Sequence, residues 1–422
     1  MCYIIFVQPA ILQSCGMSGS AVMAATCISS AAATLVMAFS ANYPVALAPA
    51  MGHNAFFAFT VCGVLGYTWQ QALAANFISG AVFLGLTFFG FRKKLLNAVP
   101  SCLKHGIAVG IGLLIAVIGF EWAGIIVGSP ATYITRGDLG NPAVLVAISG
   151  FLVIVVLTAF KVPGALLVGL LVSTMVALAI GLVNYQGVVQ LPPSLRETAF
   201  QLDFKGLFSS GFGSLLAVVF VFFFLDLFDT IGTLIGVSGQ AGLLDDEGNL
   251  PRAGGALFAD AVGTVVGTLL GTSTVTSYVE SSAGVAAGAR TGLANIATAF
   301  LFIISLFFYP LVAMVAGEYQ ISPGVFVHPV IAPVLILVGM FMMKGIEKVK
   351  WKEFEEALPA FLAISVMPLT FSITEGISAG FVSYSLLKLL RGRLRDSSMW
   401  VHAFSVLFLL RYVLLATGLI KG

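Results

Sequence analysis

Charge is what this chain has least of. Asp, Glu, Lys and Arg make up 9% of its 422 residues, against about 25% in an ordinary soluble domain. The net charge of +2 is too small to suggest a nucleic-acid partner. The five cysteines, Cys2, Cys15, Cys27, Cys62 and Cys102, lie in or beside apolar segments and lack the paired spacing of a metal site. They read as thiols that fill apolar gaps. No N-x-Ser/Thr sequon occurs. The N-terminus also lacks the basic region and cleavage site of a signal peptide.

Apolar residues are abundant. The hydrophobic share is 59% and the mean hydropathy +1.05, so the chain is better counted in membrane spans of about 20 residues than in soluble domains. Apolar runs fall near 20–40, 69–91, 105–120, 142–160, 165–183, 213–236, 255–271, 291–313, 330–345, 355–371 and 374–390. A last run, 400–419, carries Arg411 at its middle and is expected either to lie along the interface or to form an extra span. The opening "MCYIIFVQPAIL" is too short to cross a bilayer and reads as the second part of a first helix.

Two stretches do not read as simple helices. "NYPVALAP", Asn42 to Pro49, holds two prolines, which remove backbone donors and disfavour helix before each of them. "GTSTVTSYVE", Gly271 to Glu280, is rich in β-branched residues. Both are expected to be short strands feeding half-helices. Interrupted segments at matching places in two halves point to a transporter's binding site. A single offset that carries Pro44 onto Gly271 also carries the run 105–120 to 332–347, over the apolar run at 330–345, which argues for two repeats. Basic residues set the orientation. Arg92, Lys93, Lys94, Lys104, Lys161, Arg252, Arg290, Lys344, Lys348, Lys350, Lys352, Lys388, Arg391, Arg393 and Arg395 fall on one side, taken as cytoplasmic. Arg136, Arg196 and Lys205 fall on the other, which makes the repeats inverted.

Most acids lie in loops, but Asp226, Asp229 and Glu280 lie within apolar or broken segments. Charge at the bilayer centre costs at least about 2.5–3.5 kcal/mol, so these residues are candidates to face a cavity or to exchange protons. The bland alternative is a neutral, hydrogen-bonded acid serving helix contact. Glu280 opens the second half-helix, where free N–H groups favour an acceptor; His53 and Asn54 hold the matching place in the first. Asp229 lies in a continuous apolar helix with Asp226 three residues away, so it is the candidate proton carrier. Asp260 is expected at a helix start or at an interface, Glu375 at a solvated span junction, and Gly263, Gly267 and Gly271 form a small-residue stripe for close helix contact.

"NYPVALAPAMGHNAFFAF", "DLFDTIGTLIG" and "GTSTVTSYVESSAGVAAGARTGL" together resemble the signatures of the azaguanine-resistance type adenine/guanine/hypoxanthine permeases, the purine branch of the nucleobase:cation symporter-2 and nucleobase–ascorbate transporters. The resemblance runs from "YIIFVQPAIL" to about residue 390. It implies an all-α polytopic membrane protein of about fourteen spans, the first one truncated, in two inverted repeats of seven, with short strands in broken spans 3 and 10. A core of residues 1–91 and 211–313 would move against a gate of residues 92–190 and 325–392, with 396–422 as a C-terminal amphipathic or extra span. By position, Asp229 matches the base-binding acid of the eighth span, Glu280 the glutamate of the tenth, Tyr278 the tyrosine found there in uracil-type relatives, and Asn54 the third-span asparagine. Gln8 stands where relatives often carry Asn, and Ala50 replaces a common Gly.

The resulting expectation is a purine nucleobase permease in the cell membrane, driven by co-transported H⁺ and needing no cofactor, metal or enzyme chemistry. Substrate binding falls to Asn54, Asp229, Tyr278 and Glu280, proton coupling to Asp229 and Asp226, and a homodimer would form through the gate. Two other classes stay open. An anion transporter or channel of related fold would prefer cations at its site; an intramembrane aspartyl enzyme would need a GxGD-type motif.

Overall fold

The computed structural model describes residues 1–88, 99–129, 132–162, 164–209, 212–244, 250–322 and 325–416. The basic run Arg92 to Lys94, the expected domain boundary at 91–92, and Lys421 lie outside the described residues. Every long apolar run within them is helical, because a helix satisfies its own backbone where water is absent.

In chain order the elements are α1 (Ile4–Gln13), α2 (Gly19–Ser40), β1 (Leu47–Pro49) and α3 (Met51–Ala55), which continues as a π-helix (Phe56–Val64). Next come α4 (Trp69–Phe88), α5 (Ser101–Trp122), the hairpin β2 (Ile126–Ser129) and β3 (Tyr133–Arg136), α6 (Pro142–Ala159), α7 (Ala165–Ala179) and the short α8 (Phe204–Ser209). The second half holds α9 (Phe212–Gln240), α10 (Ala253–Leu270), β4 (Val275–Ser277), α11 (Ser281–Ala286), α12 (Leu293–Ser305) and α13 (Tyr309–Val315). It closes with the hairpin β5 (Tyr319–Ser322) and β6 (Val325–Val327), then α14 (Ala332–Met342), α15 (Phe354–Thr370), α16 (Ile373–Leu390) and α17 (Met399–Ala416). The run 291–313 is split: a 3-10 turn, Leu306–Phe308, separates α12 from α13. Pro310 follows at the start of α13, and its missing N–H and its ring disrupt the helical ladder there.

The helices pack in two groups. α2 lies against α10, α12 and α1, and α4 against α10 and α9. α5 lies against α14 and α15, with α16 on α15 and α7 on α6. Small residues permit the closest crossings. A Cβ added to Gly112 would sit 2.7 Å from the Gly339 carbonyl oxygen, and one added to Gly339 would sit 2.5 Å from that of Gly112. Those two glycines therefore let the backbones of α5 and α14 touch.

Between the halves, β1 and β4 form a two-stranded antiparallel sheet with Leu47 opposite Ser277, Ala48 opposite Thr276 and Pro49 opposite Val275. Bonds beyond the strands extend it: Ala50 N–H donates to the Thr274 carbonyl and Tyr278 N–H to that of Ala46. The glycine stripe holds this sheet in place. A Cβ on Gly263 would come within 2.8 Å of Ala33 Cβ, and one on Gly267 within 2.8 Å of a Val275 methyl, so α10 lies directly behind β4.

At the C-terminus, α17 runs antiparallel to α16. Arg411 Nη1 donates to Glu375 Oε1 at 2.7 Å and the Tyr412 hydroxyl to Glu375 Oε2 at 2.6 Å. Ser405 Oγ donates to the Phe381 carbonyl at 2.7 Å, and His402 Nδ1 lies 3.0 Å from Ser385 Oγ. Glu375 is thus an ion-pair partner rather than a solvated junction residue.

Candidate functional site

The β1–β4 sheet places the polar side chains. In β4, Thr276 Oγ1 donates to Asp229 Oδ2 of α9 at 3.3 Å. One residue on, Ser277 N–H donates to Asp260 Oδ1 of α10 at 3.2 Å. Thr276 thus reaches α9 with its side chain, while Ser277 reaches α10 with its backbone N–H. Asp260 is therefore a buried bracket for β4 rather than a helix-start residue. Asp226 is also fully buried; Thr264 Oγ1 of α10 donates to its Oδ2 at 3.4 Å. The two aspartates of α9 thus engage different elements: Asp226 meets α10 behind the sheet, Asp229 meets the sheet itself.

Asp229 is exposed although it lies within a long apolar helix. A Cβ added to Gly232 or Gly236, one and two turns further along the same face, would meet nothing within 4 Å. That face of α9 borders open space. Oδ1 of Asp229 has no partner among the described residues, since Thr276 bonds only Oδ2.

Glu280 follows Tyr278 and Val279 and is half-buried. It caps α11 by position only. Its side chain makes no bond to the helix N–H groups and instead accepts from the Tyr3 hydroxyl of α1 through Oε1. This corrects the expectation that free N–H groups of the half-helix hold the carboxylate. Oε2 is left without a partner among the described residues, and Glu280 lines a cavity of about 250 Å³ with Met1, Pro44, Ser281, Asn295 and Thr298. Asp229, Glu280, Tyr278 and Tyr3 lie close enough to interact electrostatically.

Tyr278 and Asn54 are more enclosed. Tyr278 is 5% exposed, and its hydroxyl donates to the Pro49 carbonyl, which ties the two strands together. Asn54 is fully buried; its Oδ1 accepts from Ser273 Oγ and its Nδ2 approaches Met51 Sδ at 3.9 Å. Gln8 completes a three-element network, donating from Nε2 to Thr272 Oγ1 at 2.8 Å and to Ser273 Oγ at 3.1 Å. The structure therefore brings Asp229 of α9, through Thr276, to the short stretch that carries Tyr278 and Glu280, and Asn54 meets the same stretch at Ser273. Sequence reasoning missed Tyr3, Ser273 and Thr276 as partners. The two β4-region residues had a usable signal in the alternation of "TSTVTS"; Tyr3 had none, since a tyrosine in an apolar run is unremarkable.

Chemically, the site offers two carboxylates, each with one uncommitted oxygen, beside open space. It suits a ligand rich in N–H donors. No lysine or arginine takes part in the hydrogen bonds described for it.

Comparison with known proteins agrees. The sequence profile of the Permease family (Xan_ur_permease) matches residues 1–379. The chain is 42% identical over 413 residues to adenine permease AdeP of Escherichia coli strain K12, covering 98% of this chain and 90% of the relative. It is 41% identical over 418 residues to guanine/hypoxanthine permease PbuO of Bacillus subtilis strain 168, covering 98% and 94%. Among solved structures, the transmembrane domain of the cyanobacterial bicarbonate transporter BicA superposes with a TM-score of 0.65 at 15% identity, covering 87% of this chain and 92% of that one. The fold is a mostly helical membrane-transporter fold of that kind, and the chain is a multi-pass membrane protein.

Proposed function

Because this chain belongs to the Permease family, whose members are transporters and not enzymes, we propose that it takes up a purine nucleobase, adenine, guanine or hypoxanthine, across the cell membrane by proton symport. The observation that carries this reading is the pairing of Asp229 and Glu280 around β4, each keeping one free oxygen. A purine is planar, neutral and edged with N–H donors, so it can give a hydrogen bond to each free oxygen while its flat faces meet apolar walls. The names of the relatives support the substrate class, and their near-equal identities, 42% to an adenine permease and 41% to a guanine/hypoxanthine permease, leave the preferred base to a competition panel.

Asp229 is the proposed proton carrier. It stands in an apolar helix, borders open space and faces a second carboxylate; a proton relieves that like-charge contact. Because Asp226 engages Thr264 behind the sheet, its part in coupling is indirect, through the position of α9. Fourteen spans in two inverted repeats would give alternating access, with residues 1–91 and 211–313 as the moving core and 92–190 and 325–392 as the gate. The separate contacts of α2 with α10 and α12, and of α5 with α14 and α15, support that division. Dimerisation through the gate is part of the same reading. An anion cargo, as in the name of the BicA structure, would have to bind beside two carboxylates, which disfavours it. The deciding experiment is competition uptake in cells lacking their own purine permeases, with and without a protonophore. Accumulation of a purine that collapses with the proton gradient is expected; uptake unchanged by the protonophore removes the symport mechanism.

A further inference from the structure

Helix α17 lies beyond the stretch matched by the family profile, which ends at residue 379. It has 18 residues, about 27 Å at 1.5 Å per residue, close to the thickness of the hydrocarbon core. Its contacts with α16 descend as α16 ascends. Glu375 meets Arg411 and Tyr412, Phe381 meets Ser405, and Ser385 meets His402 and Ser405. The two helices therefore lie side by side from Glu375 to Ser385 of α16. Arg411, the one charge in an otherwise apolar helix, is 11% exposed because Glu375 neutralises it. The same face of α17 also reaches α9, the helix that carries Asp229: the Phe404 and Phe220 rings are 4.1 Å apart and Phe408 and Phe220 6.1 Å, while both phenylalanines also meet Phe381 of α16, at 6.2 and 6.0 Å. Phe381 of α16 joins the same group through Phe224 at 5.5 Å.

We propose that α17 is a transmembrane strap. It is fixed to α16 by Glu375, Arg411 and Tyr412 and braces α9 through Phe220, so it favours the arrangement seen here, in which the face of α9 that runs from Asp229 through Gly232 and Gly236 toward Arg252, taken as the cytoplasmic end, borders open space. The inference rests on the alternating-access reading above. If α9 and α16 belong to bodies that move against each other, contacts of Phe220 with Phe404 and Phe408 exist in one arrangement and are lost in the other. Each such contact then shifts the population of states rather than the affinity of the site.

Two measurements test it without using any substrate, so they succeed or fail independently of the purine assignment. The first is topology. A tag appended at the C-terminus is expected on the side opposite Ser398; finding both on one side overturns the spanning strap. The second is accessibility, in full-length protein whose five cysteines have been replaced. Gly236→Cys, which reports the open face of α9, is expected to react with a membrane-impermeant thiol reagent in inverted vesicles. Adding Phe404→Ala and Phe408→Ala is expected to slow that labelling about three- to tenfold; unchanged labelling overturns the brace. Arg411→Glu alone is expected to slow labelling likewise, and combination with Glu375→Arg to restore it. A swap that fails to restore labelling in protein reaching the membrane overturns the anchor.

Discussion

In the proposed purine site, Glu280 is the residue on which binding would turn most directly. In Glu280→Gln the side chain keeps its length, but one acceptor oxygen becomes an NH₂ donor and the charge is lost. Oε1 already accepts from the Tyr3 hydroxyl, and Oε2 is the oxygen left for a ligand. The amide has two ways to sit. With its oxygen toward Tyr3, it presents NH₂ to the purine N–H, donor against donor. With NH₂ toward Tyr3, whose hydroxyl can turn to accept, it offers the purine a neutral acceptor in place of a charged one. The second arrangement costs about 1 kcal/mol, the difference between charged and neutral hydrogen bonds, and the first about 3 kcal/mol because a donor is left unpaired. Affinity should therefore fall roughly 5- to 150-fold. Tyr3→Phe removes the competing partner, so the double variant is expected to bind no more weakly than Glu280→Gln alone, a non-additive cycle characteristic of residues in contact. Calorimetry with adenine, guanine and hypoxanthine on purified protein measures all four corners. An affinity for every purine within twofold of wild type in Glu280→Gln would refute the assignment of Oε2 as a substrate acceptor.

Asp229→Asn imitates the protonated acid, so it should retain exchange of purine across the membrane, lose accumulation against a gradient, and show uptake independent of pH between about 5 and 8, where wild-type uptake falls as pH rises; proteoliposome counterflow separates these. Gly267→Val presses a side chain on Val275, whose methyl already lies 2.8 Å from the Cβ position. It should cost about 1–3 kcal/mol of stability and raise KM by displacing Thr276, read by thermal unfolding and uptake together. A cysteine at Lys348 should label only from the cytoplasmic face and one at Tyr185 only from outside; labelling of Lys348→Cys in intact cells would invert the topology.

The spans were legible because long apolar runs leave few alternatives in a bilayer, and α2, α5, α6 and α16 begin and end within four residues of the runs seen in the sequence. The broken segments were legible for a related reason: two prolines before Met51 and a β-branched run before Glu280 each oppose helix. Asp229 and Glu280 stood out because carboxylates are expensive where they are. What was not legible depends on partners far along the chain. Arg411 and Glu375 each looked destined for water or the interface, and their pairing neutralises both. Asp226 and Asp229 look alike in sequence, yet only contacts with Thr264 and Thr276 assign one to the back of the sheet and the other to its open side.

The pairing of β1 with β4 also governs how the protein is made. Ala46 N–H donates to Ser281 Oγ across 235 residues of chain, so the candidate site is among the most non-local features of the fold. During synthesis β1 emerges long before β4. Until then β1 has Thr34, which serves both backbone groups of Leu47, while the Ala50 N–H and the Asn54 side-chain oxygen wait for Thr274 and Ser273. The site thus closes only after α10 has been inserted, which makes it a late checkpoint of assembly and leaves the first half dependent on the lipid environment and on chaperoning meanwhile. A gene split within the exposed 184–194 segment should therefore give two fragments that are inactive singly and recover transport when expressed together.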